Sequence, residues 1–264
     1  MTGLPDFLAT AMVPERWPTF ALITARVSGL LMIAPGWSGT TFPSSIRAAV
    51  TVVLAVLLLP LAPVVPIGEH VLDLPLPMAA ELAIGTVIGL AAAIIVQGVG
   101  LAGEIISMQM GLSIAPALAP VPELQVVGVG PLSTALAILI YLTLGGHLAL
   151  IHALGQSLRT LPPGGGLAFT AAGPAATELA GRLFSCAVSV AAPVMVTLLL
   201  TSLSLAILSR AVPQLNAMMV SFPITIGVGL LMFAVSMPVV SSVIARWVEV
   251  MPAGIDRLLP QLQP

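Results

Sequence analysis

The residues of this chain that could do chemistry are few, and their spacing supports little of it. Gly111-Leu112-Ser113-Ile114-Ala115 falls one residue short of the Gly-X-Ser-X-Gly elbow that presents a nucleophilic serine. That elbow needs a strand before the serine, and the residues preceding Gly111 read as helix. His147 and His152 stand five positions apart, about 140° around a helix, so one face cannot offer both to a metal. No carboxylate or cysteine lies nearby in sequence to complete a ligand set. Gly164-Gly165-Gly166 lacks the pattern of a phosphate loop and reads as a linker. All eight basic residues are arginine, which removes the lysine of a P-loop and any Schiff base. Cys186 is the single cysteine, so no intramolecular disulfide can form. These residues name no catalytic, metal or cofactor site.

Charges placed among apolar residues say more. Arg26 falls within the first expected helix, while Glu81 and Glu104 bracket the third. A charge inside a membrane segment faces a partner or a water-filled cavity, or else snorkels to an interface. Glu104, Ser107 and Gln109 add a polar stripe to an apolar run, which suits an aqueous pathway or an ordinary helix end.

The elements that hold these residues follow from composition. Hydrophobic residues make up 58% of the chain and charged residues 7%, whereas soluble domains carry about a quarter charged. Lipid or other membrane subunits must therefore be the solvent. Charge-free runs cover 27–46, 48–68, 82–103, 124–158, 183–209 and 211–245, and a helix needs about 20 apolar residues to cross the hydrocarbon core. Backbone groups in lipid are satisfied within their own segment, so the expected fold is all-α. The reading is an integral membrane protein of about six long hydrophobic helices arranged as hairpins, at 17–34, 46–65, 78–110, 131–156, 178–209 and 215–248. The turn at Ala34-Pro35-Gly36 closes the first, and Pro60, Pro63 and Pro66 close the second. A net charge of −2 with scattered arginines offers no basic patch for nucleic acid. Residues 1–16 hold Asp6 and Glu15 and no basic stretch, so no cleaved signal peptide is expected.

Three features argue against plain spanning helices. Gly85, Gly89 and Ala93 share one helical face, as do Gly103, Ser107 and Gly111, and small residues at this spacing let backbones approach closely. A break is expected at Ser221-Phe222-Pro223, after the polar stretch Arg210 to Asn216. The segment after Gly111 holds Pro116, Pro120 and Pro122 together with Leu112, Ile114, Leu118 and Val121. It is too rich in proline for a helix and too apolar for a solvated loop. Such backbone at membrane depth is buried in protein or lines a cavity, and residues at a constriction seal a conduit by excluding water.

Several of these stretches resemble one family. Ala102-Gly-Glu-Ile-Ile-Ser-Met-Gln-Met-Gly-Leu-Ser113, Gly146-His147-Leu148, Ser209-Arg-Ala-Val-Pro-Gln-Leu-Asn216 and Ser221-Phe222-Pro223 are similar to the FliR family of flagellar biosynthetic proteins, whose injectisome counterpart is SctT. Arg26, Ala34-Pro35-Gly36 and Pro43 to Arg47 fit its N-terminal pattern, and the likeness runs over essentially the whole chain. The resemblance implies a subunit of the type III export gate in the bacterial inner membrane, at the flagellar basal body. There it would assemble with FliP-like and FliQ-like subunits, beside an FlhB-like subunit, into a pore that passes unfolded export substrates. It implies no cofactor and no enzyme activity.

By the same resemblance, residues 1–160 form a FliP-like portion with a plug-like loop at 109–128. Residues 161–177 form a flexible linker, and 178–264 a FliQ-like helical hairpin. Plug or pore candidates are Gln109, Met110, Gly111, Leu112, Ile114, Pro116, Leu118, Pro120 and Pro122. Assembly candidates are Arg26, Gly85, Gly89, Gly103, Glu104, Arg210, Pro213, Gln214, Asn216 and Pro223. One departure stands out: Ala119 precedes Pro120 where the family often carries an acid. The alternatives are a SctT-type injectisome subunit and a stand-alone permease with its substrate site at broken helices.

Overall fold

The computed structural model describes residues 13–37, 43–65, 74–112, 128–166, 169–212 and 217–259. Helix α1 (Trp17–Ile33) opens with Pro18 in its first turn, where a missing amide costs no helical bond. It stops at Ala34-Pro35-Gly36, where Gly36 adopts a φ of 82°. Helix α2 (Ser44–Leu58) runs into the 3-10 turn Leu59–Leu61, which contains Pro60. Helix α3 (Pro75–Gln109) is followed by α4 (Val129–Thr143), α5 (Gly146–Thr160), α6 (Phe169–Ala211) and α7 (Ala217–Leu258). Among the described residues there is no strand.

Four expectations need correction. The segment expected as one helix over 131–156 is two helices, α4 and α5, bent by 66° at their junction. Gly145 sits there with a φ of 72°, a conformation other residues adopt only at a cost. The expected linker 161–177 is helical from Phe169 onward. The helix runs through Gly173 and Pro174, since a single lost amide is tolerated in an apolar helix. Helix α7 does not break at Ser221-Phe222-Pro223. Pro223 removes one backbone donor, and a membrane helix tolerates a single such loss. Finally, α7 runs ten residues past 248, to Leu258, because Met251, Ile255 and Leu258 keep an inward helical stripe among charged neighbours.

Among the described residues, four helical stretches are long and apolar enough to cross a membrane, at Ser44–Leu61, Pro75–Gln109, Thr177–Ala211 and Met219–Leu258, and α4 with α5 makes a fifth if the bent pair counts as one span. Helix α1, with 17 residues, is only about 25 Å long against a hydrocarbon core of about 30 Å. The chain is an all-α integral membrane protein, with four or five apolar spans among the described residues.

The chain divides into two compact units. The first comprises residues 1–93, 145–179 and 248–264. Leu22, Ile23 and Val27 of α1, Ile84 and Ile88 of α3, and Leu154 and Leu158 of α5 form its core, all essentially solvent-free. Helices α1 and α3 approach closely: a side chain at Gly85 would run into the Arg26 carbonyl oxygen, one at Gly29 into that of Leu82, and one at Gly89 into that of Leu30. The glycine face read from the sequence is thus filled from within the chain. The second unit comprises residues 94–144 and 180–247. Val190, Ala191, Val194 and Leu198 of α6 and Val240 and Ile244 of α7 are buried in it. Gly98 gives room to Cys186, and Gly103 to Ser133 and Gly130.

Candidate functional site

The first unit encloses a polar knot that the sequence only half revealed. Because Gly85 and Gly89 draw α3 onto α1, Glu81, one turn before Gly85, comes level with Arg26. The Arg26 Nε donates to Glu81 Oε2 at 2.5 Å, with both side chains at 1% exposure or less. Arg26 Nη1 donates to the carbonyl and hydroxyl oxygens of Ser157 at 3.1 and 3.2 Å, and Nη2 to the Leu161 carbonyl at 3.0 Å. These carbonyls lie at the C-terminal end of α5, where helical carbonyls run out of amide partners and a cation is favoured. Arg26 therefore caps α5 from another helix. Glu81 Oε1 accepts the Gly164 amide at 2.9 Å. Gly164 has a φ of 83°, so this glycine is a structural residue and not a bare linker.

Arg26 was singled out in the sequence as a charge in need of a partner. Its partner was not evident, because Glu81 lies 55 positions away and Ser157 131. A net of this kind serves structure: the carboxylate is doubly engaged and the guanidinium faces carbonyls.

The second unit brings together two motifs that are far apart in sequence. The end of α3, the last turns of α6 and the first turns of α7 surround a cavity of about 360 Å³. Gln109, Met110 and Gly111 line it with Ser202, Ser209, Ser221, Phe222 and Thr225. Gln109 is exposed and Met110 buried, with Gly111 and Leu112 between these extremes. Ile114, Pro116, Leu118, Pro120 and Pro122 lie outside the described residues, as do Pro213, Gln214 and Asn216. Arg210 is exposed on the last turn of α6.

The polar stripe of α3 is divided. Ser107 is buried, and its hydroxyl accepts the amide of Val129 at 2.7 Å, serving the first turn of α4. Glu104 is exposed, with its carboxylate laid over Gly130, where any side chain would collide. Among the described residues, no group of histidine, cysteine, aspartate and glutamate could hold a metal ion. Gly111 follows a helix rather than a strand, so the nucleophile-elbow geometry is not met.

Comparison with known proteins adds to this geometry. A family described as bacterial export proteins, family 1, matches residues 17–251. The chain is 30% identical over 225 residues to the flagellar biosynthetic protein FliR of Escherichia coli K12, covering 85% of this chain and 84% of that protein. It is 29% identical over 236 residues to FliR of Bacillus subtilis 168, covering 87% and 90%. With FliR of Caulobacter vibrioides it shares 29% identity over 219 residues, covering 82% and 87%.

Proposed function

The chain belongs to family 1 of the bacterial export proteins, and from that membership we propose that it is a subunit of the flagellar type III export gate in the bacterial inner membrane. The observation that carries this reading is a family match running from the first helix to the last, on helices whose apolar faces the chain itself leaves open. In the 18-residue apolar stretch of the spans Ser44–Leu61, Thr177–Ala211 and Met219–Leu258 only 22%, 33% and 28% is buried, against 67% for that of Pro75–Gln109. Leu199, Leu203 and Ile207 of α6 and Leu231 and Val235 of α7 are exposed. Such faces need lipid or neighbouring membrane helices as solvent.

In this role the chain joins FliP-like and FliQ-like subunits, beside an FlhB-like subunit, in a pore for unfolded flagellar proteins. Residues 1–160 act as the FliP-like portion and 178–264 as the FliQ-like hairpin. The chain supplies no chemistry of its own; the energy for export enters elsewhere in the apparatus. The relatives named above are all flagellar, which favours the flagellum over an injectisome.

Within the closed gate, the segment from Gln109 to Gly128 acts as a seal, through apolar crowding at a constriction. Two experiments test this reading. A pull-down of the tagged chain from native membranes is expected to bring down FliP-, FliQ- and FlhB-like subunits; injectisome proteins, or none of these, would contradict it. Deletion of residues 113–122 is expected to leave the complex assembled but leaky to ions. Intact assembly without added leak would sink the seal.

A further inference from the structure

Within the first unit, α1 and α3 enclose an apolar groove of about 630 Å³ that plays no part in the proposed export role. One wall is a face of α1, where Phe20, Ala21, Thr24 and Ser28 recur at helical spacing, and the other comes from Met78 and Leu82 of α3. The small side chains of α1 leave the hollow. Its two hydroxyls are engaged inside their own helix, Thr24 donating to the Phe20 carbonyl at 2.7 Å and Ser28 to that of Ala25 at 2.8 Å. An occupant therefore meets a hydrocarbon wall and needs no hydrogen bonds of its own.

The dimensions and the two ends of the groove point to its occupant. From Trp17 to Ser28 the wall is about 16 Å long at 1.5 Å per residue, the depth of one leaflet in a hydrocarbon core of about 30 Å. Beside Ser28 the two backbones touch, since a side chain at Gly29 would run into the Leu82 carbonyl oxygen, and the hollow goes no further. At the other end stands Trp17, 66% exposed, a residue suited to the membrane–water boundary. Just before it, in the turn Pro14–Arg16, Glu15 is exposed and Arg16 half-buried. Neither side chain has a hydrogen bond or ion pair among the described residues. A cation and an anion side by side complement the phosphate and ammonium of a zwitterionic headgroup. A partner helix would cross both leaflets, and a blind groove one leaflet deep does not fit it.

We propose that this groove binds one acyl chain of a zwitterionic phospholipid, with Trp17 at headgroup level and Arg16 turned to the phosphate. The test uses the tagged full chain, isolated from membranes with whatever subunits it holds and placed in phosphatidylglycerol vesicles. The probe is a trace of phosphatidylethanolamine carrying a diazirine midway along one acyl chain. Irradiation links it to what it touches, and peptide mass spectrometry locates the link. Label is expected to concentrate on residues 17–28 and 78–82 and to be displaced by unlabelled phosphatidylethanolamine. Ala21→Phe and Ala79→Phe fill the groove from opposite walls. Each is expected to cut the label there several-fold and to leave label on the rest of the chain unchanged. Should Ala21→Phe fail to fold, Ala79→Phe still decides, because Ala79 is exposed. Arg16→Gln is expected to lower the label to the level given by a free fatty acid with the same diazirine. Label at 17–28 and 78–82 that neither filling variant reduces would mean that lipid passes over the surface without entering, and would overturn the proposal. A photoreactive side chain at position 21 that links to protein instead of lipid would overturn it as well. Equal labelling by the fatty acid and the phospholipid would contradict the phospholipid assignment.

Discussion

Around Arg26 and around Gly111 the chain handles polar and irregular structure in opposite ways. At Arg26 the polar atoms are enclosed and matched: every side-chain nitrogen and oxygen of Arg26, Glu81 and Ser157 has a hydrogen-bond partner. At Gly111 the hydroxyls of Ser202, Ser209 and Ser221 border an open cavity, and the contact is made by shape, ring against glycine. The first arrangement has one low-energy form, because moving any member strands a buried charge. The second can be loosened without stranding one. A gate needs both kinds of part: a frame that does not give way, and an element whose position can change.

The largest expected effect lies in the frame. Glu81→Leu leaves Arg26 charged and buried without its counter-ion, a loss of about 3–5 kcal/mol. It should abolish recovery of the complex from membranes. Gly85→Val comes next, because its side chain would meet the Arg26 backbone and push α1 off α3. Over-packing of this kind costs about 1–3 kcal/mol, and the melting temperature of the purified complex should fall, with the Arg26–Glu81 pair loosened as a consequence. Ser157→Ala removes one acceptor from Arg26 and one donor from the Leu154 carbonyl. A smaller drop of about 1–2 kcal/mol is expected in the same measurement.

The smallest effect is predicted in the second unit. Tyr141 is fully buried and its hydroxyl has no hydrogen-bond partner among the described residues. Tyr141→Phe should therefore leave the melting temperature unchanged or raise it slightly, since no bond is lost and one polar group no longer needs burial. A loss comparable to that of Ser157→Ala would mean the two units handle buried hydroxyls alike, and the comparison would fail.

Much of this was legible in the sequence, and the limits have physical causes. Charge-free runs marked the apolar helices, because exclusion of charge is a local property of the chain. The turn at Ala34-Pro35-Gly36 and the close-packing face at Gly85 and Gly89 were legible for the same reason. The junction at Gly145 was not, although two adjacent glycines signalled it, since hydropathy continues smoothly across the bend. The linker expected over 161–177 and the break expected at Pro223 were over-read, because a membrane helix continues through a single lost amide. Arg26 was identified as needing a partner, yet Glu81, Ser157 and Gly164 became its network only through tertiary packing. The same holds for Phe222 on Gly111, where neither residue announces the other.

The central claim, that this chain is a gate subunit and not a self-sufficient permease, is tested most directly by expression with and without its FliP- and FliQ-like partners. The yield of monodisperse protein in detergent is the quantity to measure. Uncovered apolar faces on α6 and α7 predict a poor, aggregated yield alone and a stable complex together. Equal and stable yields in both cases would contradict the account.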